Sequence, residues 1–258
     1  MLSEWIKHRV IGSPLQRPAE IVRQWATIPK RFKHPELTDI LLEAPRSRQV
    51  IAKAVTDGMN CVDVGCHLGS VLSEMLRHSP SGVHTAIEPL PYKADWLRSR
   101  YPQTNVVEAA VAETAGQVEF TWNKSRPGFS SLAAESPNGD LVERVTVQTQ
   151  PLDEIVPADR SIGFMKVDVE GAELLALRSG RRIMTQDRPT VMFECARRST
   201  NALGFEVDQV YDLLTNDYDY LVMYLHEYLS NRQPLDLESF KKSMFYPFKA
   251  FNFVAVPR

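Results

Sequence analysis

The sequence predicts an α/β fold in which a mainly parallel sheet is covered by helices on both faces. From residue 60 onwards, short apolar segments rich in β-branched residues alternate with segments of helical periodicity. Several of the apolar segments are hydrophobic throughout rather than at every second position, which is typical of strands buried on both faces. A glycine-containing turn also joins the first apolar segment to a helical one. These observations indicate a doubly wound sheet.

The N-terminal part of the chain has a different pattern. Residues 1–34 predict short helical pieces separated by Pro14, Pro18 and Pro29, and residues 35–55 predict helices interrupted at Pro45. We therefore divide the chain into an N-terminal helical extension, residues 1–56, and a main domain, residues 57–258.

Strands and helices follow in turn along the main domain. The stretch 123–141 is rich in Ser, Pro, Gly and Asn and predicts a long loop or lid. Strands are predicted at 60–65, 83–89, 105–112, 117–122, 142–150, 162–170, 189–196, 218–225 and 251–257, and helices at 70–78, 92–100, 171–180 and 207–216.

Composition excludes several classes of protein. The chain has 258 residues, 43% of them hydrophobic, and no run of eighteen apolar residues that would predict a membrane-spanning helix. The N-terminus lacks the continuous apolar segment of a secretory signal, so we expect a cytoplasmic protein. A net charge of −2 argues against a general polyanion binder, so no nucleic-acid partner is expected.

The charge is unevenly distributed. Residues 1–34 hold seven Lys or Arg and two Glu, a net charge of +5, which leaves −7 for the remainder. This basic segment carries Trp5 and Trp25. Contact with an anionic membrane surface or an acidic partner is one interpretation. The favoured alternative is a solvated helical extension whose aromatic side chains pack on the main domain.

The motif VDVGCHLGS, residues 62–70, follows the first predicted strand directly. Gly65 and Gly69 allow a tight turn close to a ligand, and Asp63 lies near the strand's carboxyl end, where open α/β sheets bind ligands. A nicotinamide fingerprint would have a glycine at position 67, where this chain has His67. That glycine admits a pyrophosphate, so the motif favours a ligand without one. A purely structural turn is the alternative.

Glu88 ends the second predicted strand, 25 residues after Asp63. An acid at this spacing accepts hydrogen bonds from both hydroxyls of a nucleoside ribose. A surface glutamate is the alternative, but the glycine motif favours the functional interpretation. The third predicted strand ends in Ala109–Ala112, whose small apolar groups would suit the faces of an adenine.

At this point the sequence resembles a known family. The motifs VDVGCHLGS, AIEP, AAVAETAG, GFSSL, PLDEI and especially MKVDVEGAELLALRSG are similar to those of FkbM-type S-adenosylmethionine-dependent methyltransferases, between residues 60 and 196. The resemblance implies a Rossmann-like, seven-stranded class I methyltransferase sheet with the last strand antiparallel, and S-adenosylmethionine as cofactor. It also implies an O-methyl acceptor on a sugar or natural product.

The resemblance further implies a set of cofactor residues. Ser70 and Pro89, the last residues of VDVGCHLGS and AIEP, are included in this predicted site. Family members often carry Asn where this chain has His67, which we therefore expect to contact the cofactor rather than act as a general base. By this resemblance Asp63, Gly65, His67 and Gly69 line the methionine end, Glu88 holds the ribose, and Ala110 and Val111 flank the adenine.

Three carboxylates are the predicted catalytic residues: Asp168, Glu170 and Glu194. Asp168 and Glu170 would point to the same side of an extended strand whose carboxyl end faces the cofactor, while Lys166 would pair with Asp168. Glu173 is either a substrate contact or simply a favourable acid at a helix start. Mg²⁺ held by Asp168 and Glu194 is less favoured than direct contact between a carboxylate and an acceptor hydroxyl, because no third ligand is evident.

The leading interpretation is therefore an O-methyltransferase acting on a sugar, glycan or natural product. The alternatives are a nicotinamide-dependent oxidoreductase and a catalytically silent cofactor-binding scaffold. Residues 226–249 would either contact a sugar-bearing acceptor or plug the sheet edge. That segment contains the aromatic residues Tyr228, Phe240, Phe245, Tyr246 and Phe248 beside Arg232, Lys241 and Lys242.

Overall fold

The computed structural model describes residues 7–132, 140–231 and 233–258, and its centre is a sheet of seven strands. The strands of the chain are β1 (Cys61–Val64), β2 (Thr85–Ile87), β3 (Asn105–Val107), β4 (Ala110–Val111), β5 (Gly116–Asn123), β6 (Val142–Gln150), β7 (Phe164–Val167), β8 (Thr190–Glu194), β9 (Tyr220–Tyr224) and β10 (Asn252–Pro257).

The α-helices lie before and between these strands. Within the described residues, no helix is long and apolar enough to span a membrane. From residue 16 onwards, the helices are α1 (Gln16–Trp25), α2 (Ile28–Lys33), α3 (Thr38–Leu41), α4 (Glu43–Ala54), α5 (Ser70–His78), α6 (Pro91–Arg100), α7 (Leu152–Ile155), α8 (Glu173–Ser179), α9 (Arg197–Ala202), α10 (Val207–Asp212), α11 (Leu225–Ser230) and α12 (Leu237–Lys242).

The strand order of the large sheet is β3-β2-β1-β7-β8-β10-β9. Strands β3, β2, β1, β7 and β8 pair in parallel, whereas β10 is antiparallel to both β8 and β9. The order reverses at β1, so the loops after β1, β2 and β7 meet at one edge of the sheet, where open α/β sheets bind ligands. The predicted fold class is confirmed, including the antiparallel last strand.

The predicted strand 105–112 is in fact two short strands in different sheets. β3 ends at Val107, and Ala110–Val111 then pairs with β6 in a separate three-stranded sheet of order β4-β6-β5. A continuous apolar run cannot show this break, because both pieces are equally suited to burial. The small sheet covers one side of the edge at which the large sheet's loops converge.

Several prolines begin helices rather than separate them. Pro45 is the third residue of α4, and Pro18 and Pro29 lie in the first turns of α1 and α2. The first N–H groups of a helix have no partner within it, so proline costs no hydrogen bond there. The helices of this segment are interrupted as expected, but the break is at Leu42, three residues before Pro45.

The N-terminal extension packs directly on the main domain. In α4, Val50 and Ile51 are buried in one apolar cluster with β1, although the boundary at residue 56 stays a prediction. Trp25 does not pack on the domain as expected, because 70% of its surface is exposed. Trp5 lies outside the described residues.

Candidate functional site

A cavity of about 470 Å³ lies at the carboxyl edge of the large sheet. Its walls come from the loops after β1, β2 and β7, from β4, and from residues 127–130. Its volume falls within the range of small-molecule sites, about 300–1,000 Å³. The predicted site residues that line it are Asp63, Gly65, His67, Ser70, Glu88, Pro89, Ala110, Val111, Asp168 and Glu170.

The turn after β1 is shaped by a glycine that no other residue could replace. Gly65 has a φ of +78°, and a Cβ placed there would lie 1.8 Å from the carbonyl oxygen of Asp168. Its N–H donates to the carbonyl of Ile87 at 3.0 Å, which ties the turn to the end of β2. Gly65 therefore brings the β1, β2 and β7 loops together at the cavity wall.

The sequence predicts that Gly69 lines the methionine end of the cofactor site, but the structure places it elsewhere. It caps the N-terminus of α5 with a φ of +81°, and it does not line the cavity. A Cβ there would lie 2.5 Å from the ring of Tyr101, whose hydroxyl donates to the Gly69 carbonyl at 3.1 Å. The second glycine of the motif thus serves the packing of α5 against α6, a contact that sequence spacing alone cannot reveal.

Glu88 is 4% exposed and follows β2 directly. Its Oε2 accepts from the His67 N–H at 3.0 Å and its Oε1 from the Leu90 N–H at 3.1 Å, while the Lys93 ammonium lies 3.8 Å from Oε1. Burial raises the pKa of Glu88, against the opposing effect of Lys93. Each carboxylate oxygen has a second lone pair, so both can still accept a ligand hydroxyl.

Two buried polar atoms beside this acid lack hydrogen-bond partners among the described residues. They are Oδ2 of Asp63 and Nε2 of His67, and both residues line the cavity. Unsatisfied buried polar atoms are costly, which indicates that a polar ligand completes them. Burial, followed by the charge of Lys93, lowers the pKa of His67 to about 3, so the ring is neutral and a poor proton acceptor. This favours the predicted ligand contact over a base role.

Asp63 titrates close to the physiological range. Burial raises its pKa to about 6, although hydrogen bonding by Cys66 and the charge of Lys166 oppose the shift. Asp63 and Lys166 are directly opposite each other on β1 and β7. The acid is therefore held between the glycine turn and the charged end of β7.

The apolar wall of the cavity comes from the small sheet, and not from the large sheet as expected. Ala110 and Val111 line it, but they come from the small sheet, and Phe120 of β5 lines the same side. Leu132 and Phe129, from the region predicted as a loop or lid, also contribute. Residues 133–139 of that region lie outside the described residues. The wall offers the apolar surface that an adenine requires.

The three predicted catalytic carboxylates come together. One oxygen atom of each of Asp168, Glu170 and Glu194 lies within 4.8 Å of the others. The expected reason is wrong, because β7 ends at Val167 and Glu170 has a left-handed φ of +53°. A turn, not an extended strand, therefore aims Glu170 toward Asp168, and Glu194 reaches them from the end of β8. Glu194 does not line the cavity itself.

Lys166 supplies the positive charge of this cluster. Its Nζ lies 3.1 Å from Oδ2 of Asp168, which confirms the expected ion pair. Although burial works against the charged ammonium, the carboxylates of Asp168 and Glu194 raise the pKa of Lys166. Burial, and then the charge of Asp168, raise the pKa of Glu170 to about 8 and that of Glu194 well above its usual value. The cluster therefore holds protons near neutral pH.

The cluster also bears on the magnesium alternative. Glu170, predicted from the sequence as a catalytic residue but not as a magnesium ligand, lies close enough to Asp168 and Glu194 to provide a third carboxylate. The buried ammonium of Lys166 already neutralises part of the negative charge, which weakens attraction for a divalent cation. Direct contact between a carboxylate and an acceptor hydroxyl stays the favoured prediction.

Glu173 serves the backbone of the loop after β7. Its Oε1 accepts from the N–H groups of Val169 and Gly171 at 3.2 and 3.0 Å, and the side chain is buried. Burial raises the pKa of Glu173 to about 7. The helix-start interpretation fits this arrangement better than a substrate contact.

Besides Lys166, three basic residues that were not predicted as site residues line the cavity: Lys7, Arg23 and Lys93. Lys93 is buried on α6 and donates to the carbonyl of Pro127 at 3.1 Å. Lys7 and Arg23 belong to the N-terminal extension. Its excess of basic residues is the only feature of the sequence that distinguishes this segment. Nothing in the sequence places such distant residues at the sheet edge.

The aromatic segment between β9 and β10 lies elsewhere. None of its described residues lines the cavity, and Arg232 lies outside the described residues. Phe240 is fully buried against Phe193 and Phe253. For Phe240 the plug interpretation is therefore correct.

Comparison with known proteins identifies the family. A family model described as "Methyltransferase FkbM domain" matches residues 63–222, more than half of the chain. The chain belongs to the FkbM methyltransferase family. It is an S-adenosylmethionine-dependent methyltransferase, and S-adenosylmethionine is its cofactor. The nicotinamide-dependent alternative is therefore set aside.

Similar solved structures share little sequence with this FkbM methyltransferase. Precorrin-6y C5,15-methyltransferase from Geobacter metallireducens is 17% identical over 68% of this chain and 70% of that chain, with a TM-score of 0.40. A putative rRNA-methylase from Clostridium thermocellum is 8% identical over 83% and 94%, with a TM-score of 0.46. The plantazolicin methyltransferase BpumL, in complex with SAH, is 10% identical over 92% and 93%, with a TM-score of 0.44. No curated protein matches the chain.

Proposed function

We propose that this methyltransferase transfers a methyl group from S-adenosylmethionine to a hydroxyl of a sugar, a glycan or another natural product. The observation that carries the proposal is the position of Asp168 and Glu170 on the same cavity as Glu88. One acid fits the ribose of a nucleoside, and the other two fit a hydroxyl acceptor beside it. Eight of the nine predicted cofactor residues and two of the three predicted catalytic carboxylates line this one cavity, which supports the proposal.

The chemistry divides between the cofactor and the chain. Bound S-adenosylmethionine supplies a methyl group already activated by its sulfonium. The residues of the chain then have to hold the acceptor hydroxyl in line with that methyl and to accept its proton. Asp168 is suited to both tasks, because it lines the cavity and its ion pair with Lys166 fixes its position. Glu170 and Glu194 lie beside Asp168 and hold protons near neutral pH, so their ionisation changes the negative charge around Asp168.

The experiment is a transfer assay with S-adenosylmethionine and paired acceptors, each hydroxyl compound being compared with its deoxy counterpart. We expect S-adenosylhomocysteine (SAH) to form only with hydroxyl-bearing members. Loss of a general base lowers rates by about 10²–10⁴-fold, so Asp168→Asn is expected to show a loss of this order. Glu113→Gln is the matched control, because Glu113 is exposed and pairs with Arg178 away from the cavity.

Two results would contradict the proposal. Turnover restricted to amines or RNA would show that the acceptor class is wrong. Turnover unaffected by Asp168→Asn would show that this carboxylate does not take the proton.

A further inference from the structure

Helix α1 packs on the main domain through polar side chains. The buried Gln16 accepts from Ser73 Oγ at 3.0 Å and donates to the carbonyl of Ser70 at 3.4 Å. On the same side of the helix, Glu20 pairs with Arg48 at 3.3 Å. A surface helix ordinarily turns its apolar side to the protein, so the orientation of α1 is reversed.

The opposite side of α1 is apolar and exposed. Leu15, Ile21, Val22 and Trp25 are 63%, 51%, 69% and 70% exposed, and their spacing places them on one side of a helix with 3.6 residues per turn. Phe32 on the adjoining α2 is 86% exposed. Large apolar side chains gathered on one surface indicate a binding site rather than chance exposure.

Basic residues lie among these apolar residues in the sequence. Between residues 15 and 33 there are five Lys or Arg and one acid, Glu20, which is already paired with Arg48. Arg23, Lys30 and Lys33 are exposed and have no ion-pair partner in the described part of the chain. Trp, Phe and Leu flanked by Lys and Arg are the composition of helices that lie in the interface of a bilayer.

We propose that this surface binds the face of an anionic lipid bilayer. The basic apolar face, as we name it, consists of Leu15, Ile21, Val22, Trp25, Lys30, Phe32 and Lys33. Its positive charge favours a bilayer over a second copy of the chain, because a two-fold dimer would bring the same basic residues face to face. Arg23, on the side of α1 that carries Gln16 and Glu20, lines the cavity, so the proposed lipid contact lies beside the cavity.

The test uses the full chain and sedimentation with phosphatidylcholine vesicles that contain or lack phosphatidylserine. We expect binding to the phosphatidylserine vesicles alone, weakened by added salt because basic residues near a membrane act through screened charge. Lys30→Gln/Lys33→Gln is expected to weaken binding about fivefold for each lysine removed. Trp25→Ser/Phe32→Ser removes the apolar part and is expected to abolish measurable binding.

The control is Val83→Ser/Lys242→Gln, which removes an exposed apolar residue and an exposed lysine elsewhere on the surface. It is expected to bind vesicles like the unaltered protein. All variants should still bind SAH in calorimetry, which verifies that they are folded.

Failure of the unaltered protein to bind phosphatidylserine vesicles would overturn the proposal, as would equal loss in the control variant. Sedimentation of the lipid-free protein as a dimer that Trp25→Ser/Phe32→Ser dissociates would assign the face to self-association instead.

Discussion

Among the individual residues, Glu88 has a structural role in addition to its predicted role in cofactor binding. Its oxygens already accept from the backbone of His67 and Leu90, so the acid fixes the glycine turn before any ligand arrives. The remaining lone pairs of both oxygens are available to the hydroxyls of the predicted ribose. Preorganisation of this kind reduces the entropy that binding would otherwise cost.

Glu88→Ala is expected to weaken SAH binding about 10- to 100-fold, because hydrogen bonds to a charged group contribute about 1.5–3 kcal/mol. Titration calorimetry measures the effect. Glu108→Ala is the matched control, since Glu108 pairs with Arg98 outside the cavity and should leave affinity unchanged. Equal affinity of Glu88→Ala and the unaltered protein would argue against ribose binding by this acid.

Glu170 provides the pH dependence. Its pKa of about 8 means that it carries a proton at neutral pH, held there by burial and by the charges of Asp168 and Glu173. Lys166 stays charged throughout, because its pKa is raised. Loss of the Glu170 proton would leave an additional carboxylate to attract the acceptor's proton.

We therefore expect the methyl-transfer rate at saturating S-adenosylmethionine to rise with pH and to level off above about pH 8. Glu170→Gln cannot ionise and should lose this rise, whereas Glu113→Gln should keep it. A flat profile in the unaltered enzyme would be inconsistent with a role for Glu170 ionisation.

Among the secondary-structure elements, the turns that follow the strands shape the candidate site more than the strands themselves do. Gly65 joins β1 to the cavity with a positive φ and with no space for a Cβ beside Asp168. Gly58 also has a positive φ, +83°, but no atom lies within 4 Å of the Cβ position. A comparison of alanine substitutions at the two glycines therefore separates the effect of backbone strain from that of steric contact.

Gly58→Ala is expected to lower the free energy of unfolding by about 1–2 kcal/mol, the cost of a left-handed alanine. Gly65→Ala adds the clash with the Asp168 carbonyl and should be clearly less stable and unable to bind SAH. Denaturant unfolding and calorimetry measure the two effects. Similar stability of both variants would show that the close approach at Gly65 does not constrain the site.

Local sequence was sufficient for much of the fold. Helix α5 and the strand β6 have the predicted bounds, because each lies between clear turn residues. The break between Val107 and Ala110 was missed, since it depends on β6, a strand some forty residues further along. Periodicity likewise shows that α1 has an apolar side, but only tertiary contacts decide which side meets the protein.

At the scale of the whole molecule, the candidate site gathers residues from distant parts of the chain. The motifs revealed Asp63, Glu88 and Asp168, because each lies at or directly after the carboxyl end of a recognisable strand. Lys7 and Arg23 remained hidden, because no local pattern relates the N-terminal extension to the sheet edge. Fold and central acids were therefore predictable, whereas the outer wall of the cavity was not.

A crystal structure of the protein with SAH would show directly whether Glu88 binds the ribose beside the carboxylate cluster. We expect the ribose hydroxyls within hydrogen-bond distance of Glu88, the adenine beside Ala110 and Val111, and the sulfur directed toward Asp168. SAH bound elsewhere on the surface, or bound with its ribose away from Glu88, would contradict the account.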